Sequence, residues 1–295
     1  MSDALPRSAV LVVNARSRRG RHLFRDACRA LKTEGIHLIE TKAVHKPEEL
    51  GPAVAKAVKS GAPMVIVGGG DGSLSSAVDH FVGTDTVFAL LPLGTANSFA
   101  RSLGIPLDMA GAVKVIAQGQ ARRVDLGRIG DDYYANCAAI GLSPLIAETV
   151  PHGLKAWAGR PGYLAWAALQ LARFKPFQLT VDDGSRRETV KALEVRIANG
   201  GYHGGTELIE NAGVTTGEIV VQVVEGSARP ALLWSWGLSL LGPDKARHTV
   251  REFRGTRFRL ATDPPLPISI DGEVLAKTPV TAEVAVNAIR MALPA

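Results

Sequence analysis

The first half of the chain alternates short runs of β-branched and aliphatic residues with longer segments whose apolar residues recur at helical spacing. This alternation is typical of a parallel sheet whose strands are joined by crossover helices. The pattern therefore predicts an α/β domain with a parallel sheet over residues 1–124. The predicted strands are Ala9–Val13, His37–Glu40, Met64–Val67 and Val87–Leu91, and the predicted helices are Arg21–Thr33, Pro47–Ser60 and Leu74–Phe81.

The second half of the chain, after Val124, has strand-like runs separated by Gly and Asp turns. This spacing predicts a mainly antiparallel β domain over residues 125–285, and we expect the tail, residues 286–295, to pack back on the first domain. Two apolar segments, Gly162–Phe174 and Pro230–Leu241, interrupt the pattern and hold or adjoin all four tryptophans. The predicted strands are Tyr133–Ala139, Gln178–Val181, Leu193–Ala198, Glu218–Val224, Thr256–Leu260, Pro267–Ile270 and Val280–Val284.

Composition narrows the class of protein. A chain of 295 residues is long enough for about two domains, and a net charge of +6 favours anionic partners such as nucleotide phosphates or anionic lipid surfaces. Only 5% of residues are aromatic and no basic stripe is present, which argues against nucleic acid. Cys28 and Cys137 can form neither a disulfide framework nor a cysteine zinc site, as expected in a reducing cytosol. The seven histidines show no metal-binding spacing.

No targeting or spanning segment is evident in the sequence. The N-terminus lacks the apolar core of a signal peptide, and every apolar run is shorter than the ~20 residues that a spanning helix requires. We therefore expect a cytoplasmic protein that meets a membrane only at its surface.

The strongest local motif is the block from Gly68 to Ser73, Gly-Gly-Gly-Asp-Gly-Ser, which lies between a predicted strand and a predicted helix. Glycines let the backbone approach a ligand closely, and a helix N-terminus offers unpaired N–H groups to phosphate oxygens. The block differs from a dinucleotide-binding fingerprint because Ser73 takes the place of its third glycine, and the common P-loop motif is absent. A glycine-rich turn without a ligand is the alternative interpretation.

Asp71 is the informative residue of this block. A carboxylate ~4 Å from a phosphate oxygen is repelled by several kcal/mol at an effective dielectric near 20. A divalent cation can neutralise that repulsion, or Asp71 can take the proton of an acceptor hydroxyl. Both interpretations imply phosphoryl transfer.

A second glycine turn, Pro92–Asn97, follows the next strand, and parallel strands place both turns at the sheet edge where ligands bind.

Together with Asn14–Gly20 and Ile270–Glu273, these two blocks resemble the diacylglycerol kinase catalytic family. That family also includes sphingosine and ceramide kinases and bacterial soluble lipid kinases, and it is related to NAD kinase. The resemblance covers nearly the whole chain. It implies that ATP binds between an α/β nucleotide-binding domain and a β-sandwich lipid-substrate domain. Mg²⁺ would assist transfer of the γ-phosphoryl group to a lipid hydroxyl, of diacylglycerol or a similar lipid.

The resemblance also implies roles for individual residues. Asp71 is a catalytic and metal-binding candidate, and Glu273 is a second candidate for the general base. Without the family, Asp271-Gly272 indicates a hairpin turn instead. Asn97 would hold the ligand or the geometry of the cleft. The remaining nucleotide-binding candidates are Asn14, Ser17, Gly20, Thr41, Gly69, Gly70, Gly72, Ser73, Gly94 and Thr95.

Two departures from the family pattern affect the expected chemistry. Ser98 stands where the family usually has Asp, which implies one fewer acidic group near the metal or substrate. Thr215-Thr216-Gly217 replaces a turn that carries Asp in bacterial relatives and helps to bind a structural Mg²⁺. Because hard cations prefer carboxylate oxygens, we expect this second metal site to be lost or altered.

The predicted partner is a lipid substrate at a membrane surface, with peripheral membrane contact, and a homodimer is left open. Gly162–Phe174 is apolar nearly all round and flanked by basic residues, which suits a lipid-binding helix or a buried core helix. Two other functions remain as alternatives: an NAD kinase-like enzyme, and a non-catalytic protein that binds nucleotide or lipid.

Overall fold

The computed structural model describes residues 4–16, 18–149, 166, 169–209, 212–226 and 250–295. The role of Ser17 and the Pro230–Leu241 segment therefore lie outside the described residues, and the Gly162–Phe174 segment lies partly outside them.

The N-terminal half is a parallel sheet with helices. Strand β1 (Ser8–Asn14) lies between β2 (His37–Val44) and β3 (Met64–Gly69), and β4 (Val87–Pro92) pairs with β3. The central residues of β1 are all buried, as expected for a strand covered on both faces. The predicted α/β class is confirmed. Its strands are β1 (Ser8–Asn14), β2 (His37–Val44), β3 (Met64–Gly69) and β4 (Val87–Pro92), and its helices are α1 (Arg18–Thr33), α2 (Leu50–Lys59), α3 (Asp71–Val78), α4 (Ser98–Ser102) and α5 (Met109–Gln118).

The C-terminal half is built from antiparallel strands, as predicted. In strand β8 (Phe177–Asp182), the side chains of Phe177, Leu179 and Val181 point into the core and alternate with more exposed ones. The elements are β5 (Gln120–Ile129), β6 (Asp132–Tyr134), β7 (Cys137–Gly141), α6 (Leu142–Thr149), β8 (Phe177–Asp182), β9 (Arg187–Ala198), β10 (Tyr202–His203), β11 (Thr206–Glu207), β12 (Ile219–Glu225), β13 (Val250–Gly255), β14 (Arg257–Asp263), β15 (Pro267–Ile270), β16 (Glu273–Lys277) and β17 (Val280–Leu293).

Strand β17 joins the two halves. It pairs antiparallel with β5 and β14, and near its C-terminal end Arg290 and Met291 pair in parallel with Val87 and Phe88 of β4. The predicted boundary after Val124 falls inside β5, so the chain leaves the first half within a strand and not through a linker. The division of the chain at that residue stays a prediction.

Each half has its own apolar core, and the cleft lies where the two halves meet. Phe81 stacks on Phe88 in the first core, with ring centroids 4.2 Å apart. Phe177 and Phe258 belong to the second. Within the part of the chain that the structure describes, no helix is both long and apolar enough to cross a bilayer.

Candidate active site

The glycine loop is the turn from β3 into α3. The amides of Ser73 and Leu74 donate to the carbonyl of Gly70, at 2.9 and 3.1 Å, and start the helix. The Nδ2 of Asn14 donates to the Ser73 hydroxyl at 3.1 Å, which fixes the end of β1 against the loop. A Cβ on Gly69 would lie 2.4 Å from the Ser73 side chain, so the loop has no room for one. The structure thus brings Asn14, Gly69 and Ser73 together.

The second loop lies beside the first and is closed by Asn97. The Oδ1 of Asn97 accepts from the Gly94 amide at 3.0 Å, and its Nδ2 donates to the Gly94 carbonyl at 2.9 Å. Asn97 is buried and has a φ of 49°, so its amide holds the loop rather than facing the cleft. The Leu93 amide donates to the Gly69 carbonyl at 2.8 Å, which joins the two loops. Gly94 and Thr95 are exposed next to this junction.

A cavity of about 600 Å³ opens in front of the glycine loop. Its volume is within the range of small-molecule and cofactor sites. Glu273, from β16 of the second half, also lines this cavity. The lining residues are Asn14, Pro47, Glu48, Gly70, Gly72, Ser73, Ser76 and Glu273.

Four of the predicted nucleotide-binding residues therefore share one cleft with Glu273: Asn14, Gly70, Gly72 and Ser73. Two others lie elsewhere. Thr41 is exposed on the edge strand β2 and is absent from the cleft lining, and Gly20 is buried at the start of α1. A Cβ on Gly20 would be 3.0 Å from the Asn14 carbonyl oxygen, so Gly20 lets the end of β1 pack closely.

Asp71 is the first residue of α3 and is half-buried between the two loops. Its Oδ1 accepts a long hydrogen bond, 3.4 Å, from the Phe99 amide at the start of α4. Within the described ranges, no three His, Cys, Asp or Glu side chains gather closely enough to hold a metal ion. The carboxylate oxygens of Asp71 are suitable Mg²⁺ ligands. Mg²⁺ in kinases is commonly held by one or two carboxylates together with substrate phosphates.

Asp271 forms the two-residue hairpin turn that its sequence indicates. Asp271 and Gly272 have φ angles of 44° and 98°, and the flanking residues Ile270 and Glu273 pair across the turn. The hairpin interpretation is confirmed, and it also places Glu273 at the start of β16, where it lines the cleft.

The Asp271 carboxylate is also bound by three backbone amides from a distant segment. The amides of Ala135, Asn136 and Cys137 donate to it at 2.8, 3.1 and 3.1 Å. Burial raises the pKa of Asp271 to about 6, with a smaller contribution from the charge of Asp71, while the three amides act in the opposite direction. Asp271 is thus a buried structural carboxylate that ties the hairpin to the Ala135–Cys137 segment, a role that sequence analysis did not assign.

The β10–β11 hairpin contacts the second loop through Ser98. The Gly205 amide donates to the Ser98 hydroxyl at 3.1 Å, and Ser98 is only 2% exposed. This side chain is buried under the hairpin, and the expected loss of an acidic group near the metal or substrate stays a prediction. The surrounding protein and Arg196 lower the pKa of His203 in the same hairpin, whereas Glu194 and Asp71 act against them. No sequence signal singled out His203.

The Thr215-Thr216-Gly217 turn is anchored by a buried carboxylate. Asp125 accepts from the amides of Gly217 and Asn287, both at 2.8 Å. Thr215 and Thr216 are exposed, and the Thr216 hydroxyl donates to the Gly213 carbonyl at 2.8 Å. The turn is thus held to β17 by hydrogen bonds, and the altered second metal site stays a prediction.

An α/β domain with a glycine loop, facing an antiparallel β domain across a cleft, is the architecture of a diacylglycerol kinase-like enzyme. Comparison with known families agrees. The diacylglycerol kinase catalytic domain matches residues 8–129, and the YegS C-terminal NAD kinase beta sandwich-like domain matches residues 133–293. The chain belongs to this family of lipid kinases.

Individual relatives match over almost the whole chain. It is 28% identical over 291 residues to the probable lipid kinase YegS-like protein of Klebsiella pneumoniae, covering 97% of this chain and 96% of the relative. It is 28% identical over 301 residues to the probable lipid kinase YegS of Escherichia fergusonii, covering 100% of this chain and 98% of the relative.

Solved structures share the fold. A diacylglycerol kinase from Bacillus anthracis has a TM-score of 0.74 at 19% identity, with 97% of each chain covered. A second chain from that organism has a TM-score of 0.79 at 20% identity, with 99% of this chain and 98% of the other covered. The β-sandwich expectation for the second half is confirmed.

Proposed function

We propose that this protein is an ATP-dependent lipid kinase that transfers the γ-phosphoryl group of ATP to the hydroxyl of diacylglycerol or a similar lipid. The observation that carries the proposal is one cleft of about 600 Å³ in which the glycine loop faces Glu273 of the other half. The names of the enterobacterial relatives, probable lipid kinases, support a lipid acceptor.

The phosphates of ATP fit the start of α3. The first helical hydrogen bonds involve Ser73 and Leu74, so the amides of Asp71 and Gly72 precede them and remain available as donors. These amides and the positive end of the helix dipole favour a bound phosphate. We assign the same cradle to Gly69, Gly70, Ser73, Gly94 and Thr95, and a nucleotide contact to Asn14. The contacts expected of Ser17, Gly20 and Thr41 stay predictions, because Gly20 and Thr41 do not line the cleft and Ser17 is outside the described residues.

The two carboxylates suit different tasks. Asp71 lies between the phosphate loops, so we assign it to hold Mg²⁺ together with the phosphate oxygens. Glu273 is exposed and lines the cleft from the second half of the chain, and no described residue is hydrogen-bonded to its carboxylate. We assign it to accept the proton of the lipid hydroxyl, and Asp71 is the alternative base. Bound Mg²⁺ would offset the negative charge of the phosphates.

We further propose that the protein is cytoplasmic and contacts membranes peripherally. Both cysteines are free thiols, and the net charge of +6 favours an anionic lipid surface. A homodimer also stays a prediction.

An NAD kinase-like activity is the second candidate, because the C-terminal family carries NAD kinase in its description. One assay separates the two. Purified protein, labelled ATP and Mg²⁺ are incubated with micelles that contain diacylglycerol, ceramide, a sphingoid base or phosphatidylglycerol, and in parallel with NAD⁺. We expect a phosphorylated lipid. Phosphorylated NAD⁺ without any lipid product would overturn the proposal, and ATP binding without transfer to any acceptor would favour a non-catalytic binding protein.

A further inference from the structure

Glu48 is an acidic residue in the cleft that neither the sequence motifs nor the proposed chemistry uses. It lies in a single helical turn, Pro47–Glu49, just before α2. Its side chain is exposed and has no ion-pair or hydrogen-bond partner among the described residues. It lines the same cavity as Gly70, Gly72 and Ser73.

The position of Glu48 along the cleft follows from the packing of α2 on α3. A Cβ on Gly51, in the first turn of α2, would lie 2.8 Å from the Ser76 carbonyl oxygen. Ser76 is one turn beyond Gly72, which corresponds to about 6 Å along the axis of α3. The lining of the cleft therefore runs from the phosphate-binding start of α3, past Ser76, to Pro47 and Glu48.

The negative charge of Glu48 limits which part of a nucleotide can bind at the part of the cleft that Pro47 and Glu48 line. A carboxylate repels phosphate oxygens, whereas the N-terminus of α3 attracts them. The triphosphate must therefore lie at Gly70–Ser73. The uncharged sugar, which follows the α-phosphate, extends toward Glu48. Ribose hydroxyls are hydrogen-bond donors, and an exposed carboxylate offers only acceptor oxygens.

We propose that Glu48 accepts a hydrogen bond from a ribose hydroxyl of the bound nucleotide and so sets both its orientation and its preference for ribose over deoxyribose. This inference rests on the proposed nucleotide site and identifies a specificity-determining residue within it. The neighbouring Pro47 contributes an apolar ring to the same wall, next to the sugar. A sugar that carries a phosphate at this hydroxyl is disfavoured by charge.

The test is binding to the full-length protein, measured by calorimetry with ATP, 2′-deoxyATP and 3′-deoxyATP in Mg²⁺. We expect one deoxy analogue to bind the parent about 10- to 100-fold more weakly than ATP, as for a hydrogen bond to a charged group. Glu48→Ala should weaken ATP binding to the same extent and abolish the difference between analogues, and Glu48→Gln should retain part of it. Glu49→Ala is the matched control, because Glu49 neighbours Glu48 but does not line the cleft.

Three results would overturn the inference. The parent protein binds both deoxy analogues as tightly as ATP, or Glu48→Ala keeps the discrimination, or that variant changes only the preference for ATP over GTP, which would place the carboxylate at the base. Ribose discrimination without lipid phosphorylation would leave the inference standing and overturn the lipid kinase proposal alone. A failure of the parent to bind ATP would overturn both. Thermal unfolding of each variant checks that the fold is retained.

Discussion

The backbone of Gly94 lies directly against that of Gly70, so closely that a Cβ on Gly94 would be 2.5 Å from the Gly70 Cα. Real Cβ atoms do not approach backbone this closely, so the two loops can adopt this spacing only because both residues are glycine. The contact joins the glycine loop after β3 to the loop after β4, and thereby sets the width of the proposed phosphate cradle.

We therefore expect Gly94→Ala to push the loops apart. Overpacking of this kind typically costs about 1–3 kcal/mol, and ATP affinity should fall at least tenfold because the cradle is distorted. Urea denaturation and ATP titration measure the two effects. Retained stability together with retained ATP affinity would show that the loops do not pack as described.

Gly72→Ala is the complementary test. A Cβ on Gly72 meets nothing within 4 Å in the protein, and Gly72 lies within α3, where alanine is a better helix former. We expect stability to be unchanged or to rise by less than about 1 kcal/mol. ATP affinity should nevertheless fall at least tenfold, since the new methyl group occupies the cleft against the phosphates. Unchanged affinity would place the phosphates elsewhere.

Asp71→Asn removes the charge that we assign to the metal while keeping the shape of the side chain. We expect kcat for lipid phosphorylation to fall by at least about 100-fold, with the fold intact. The matched control is Asp85→Asn, which breaks an exposed ion pair with Arg123 at 3.0 Å and should leave the rate unchanged. Turnover of the Asp71 variant within a few-fold of the parent would contradict the role proposed for Asp71.

Glu273→Gln tests the assignment of the base. Loss of a general base typically costs about 10²- to 10⁴-fold in rate, so kcat for lipid phosphorylation should fall by that factor. Affinity for ATP should change little. Glu225→Gln, an exposed glutamate of the same domain, serves as the control. A kcat within a few-fold of the parent's in the Glu273 variant would transfer the role to Asp71.

Stability should depend on pH through Asp271. Its pKa is about 6 in the folded protein and about 3.9 when unfolded, so between these values the folded state holds more protons. The free energy of unfolding should therefore fall as pH rises from about 4 to about 6, by about 2–3 kcal/mol for this group. Asp79, with a pKa of about 6, acts in the same direction, but its exposure to solvent reduces its share.

Urea denaturation across this pH range measures the effect, with Asp271→Asn as the test variant. The variant should be less stable than the parent at high pH, because a single amide oxygen cannot replace both carboxylate oxygens for three backbone donors. Its stability should also vary less with pH. A variant with the same pH dependence as the parent would show that Asp271 is not the titrating group.

Local features of this protein could be predicted from its sequence alone. Alternating apolar patterns identified the parallel strands and their helices, and the glycine block between Met64–Val67 and the following helix predicted the strand–turn–helix arrangement that the structure contains. Asp271-Gly272 indicated a two-residue hairpin, which the structure contains. These features depend on residues a few positions apart, and backbone preference and periodicity operate over that range.

Contacts between residues far apart in the chain could be seen only in the folded protein. Asp271 binds amides more than 130 positions earlier in the chain, and Ser98 receives its hydrogen bond from Gly205. Glu48 enters the cleft because α2 packs on α3, while Thr41 stays on the edge strand outside it. Such contacts depend on how two cores and a shared sheet are assembled. Long-range packing, unlike local propensity, leaves no periodic pattern in a single sequence.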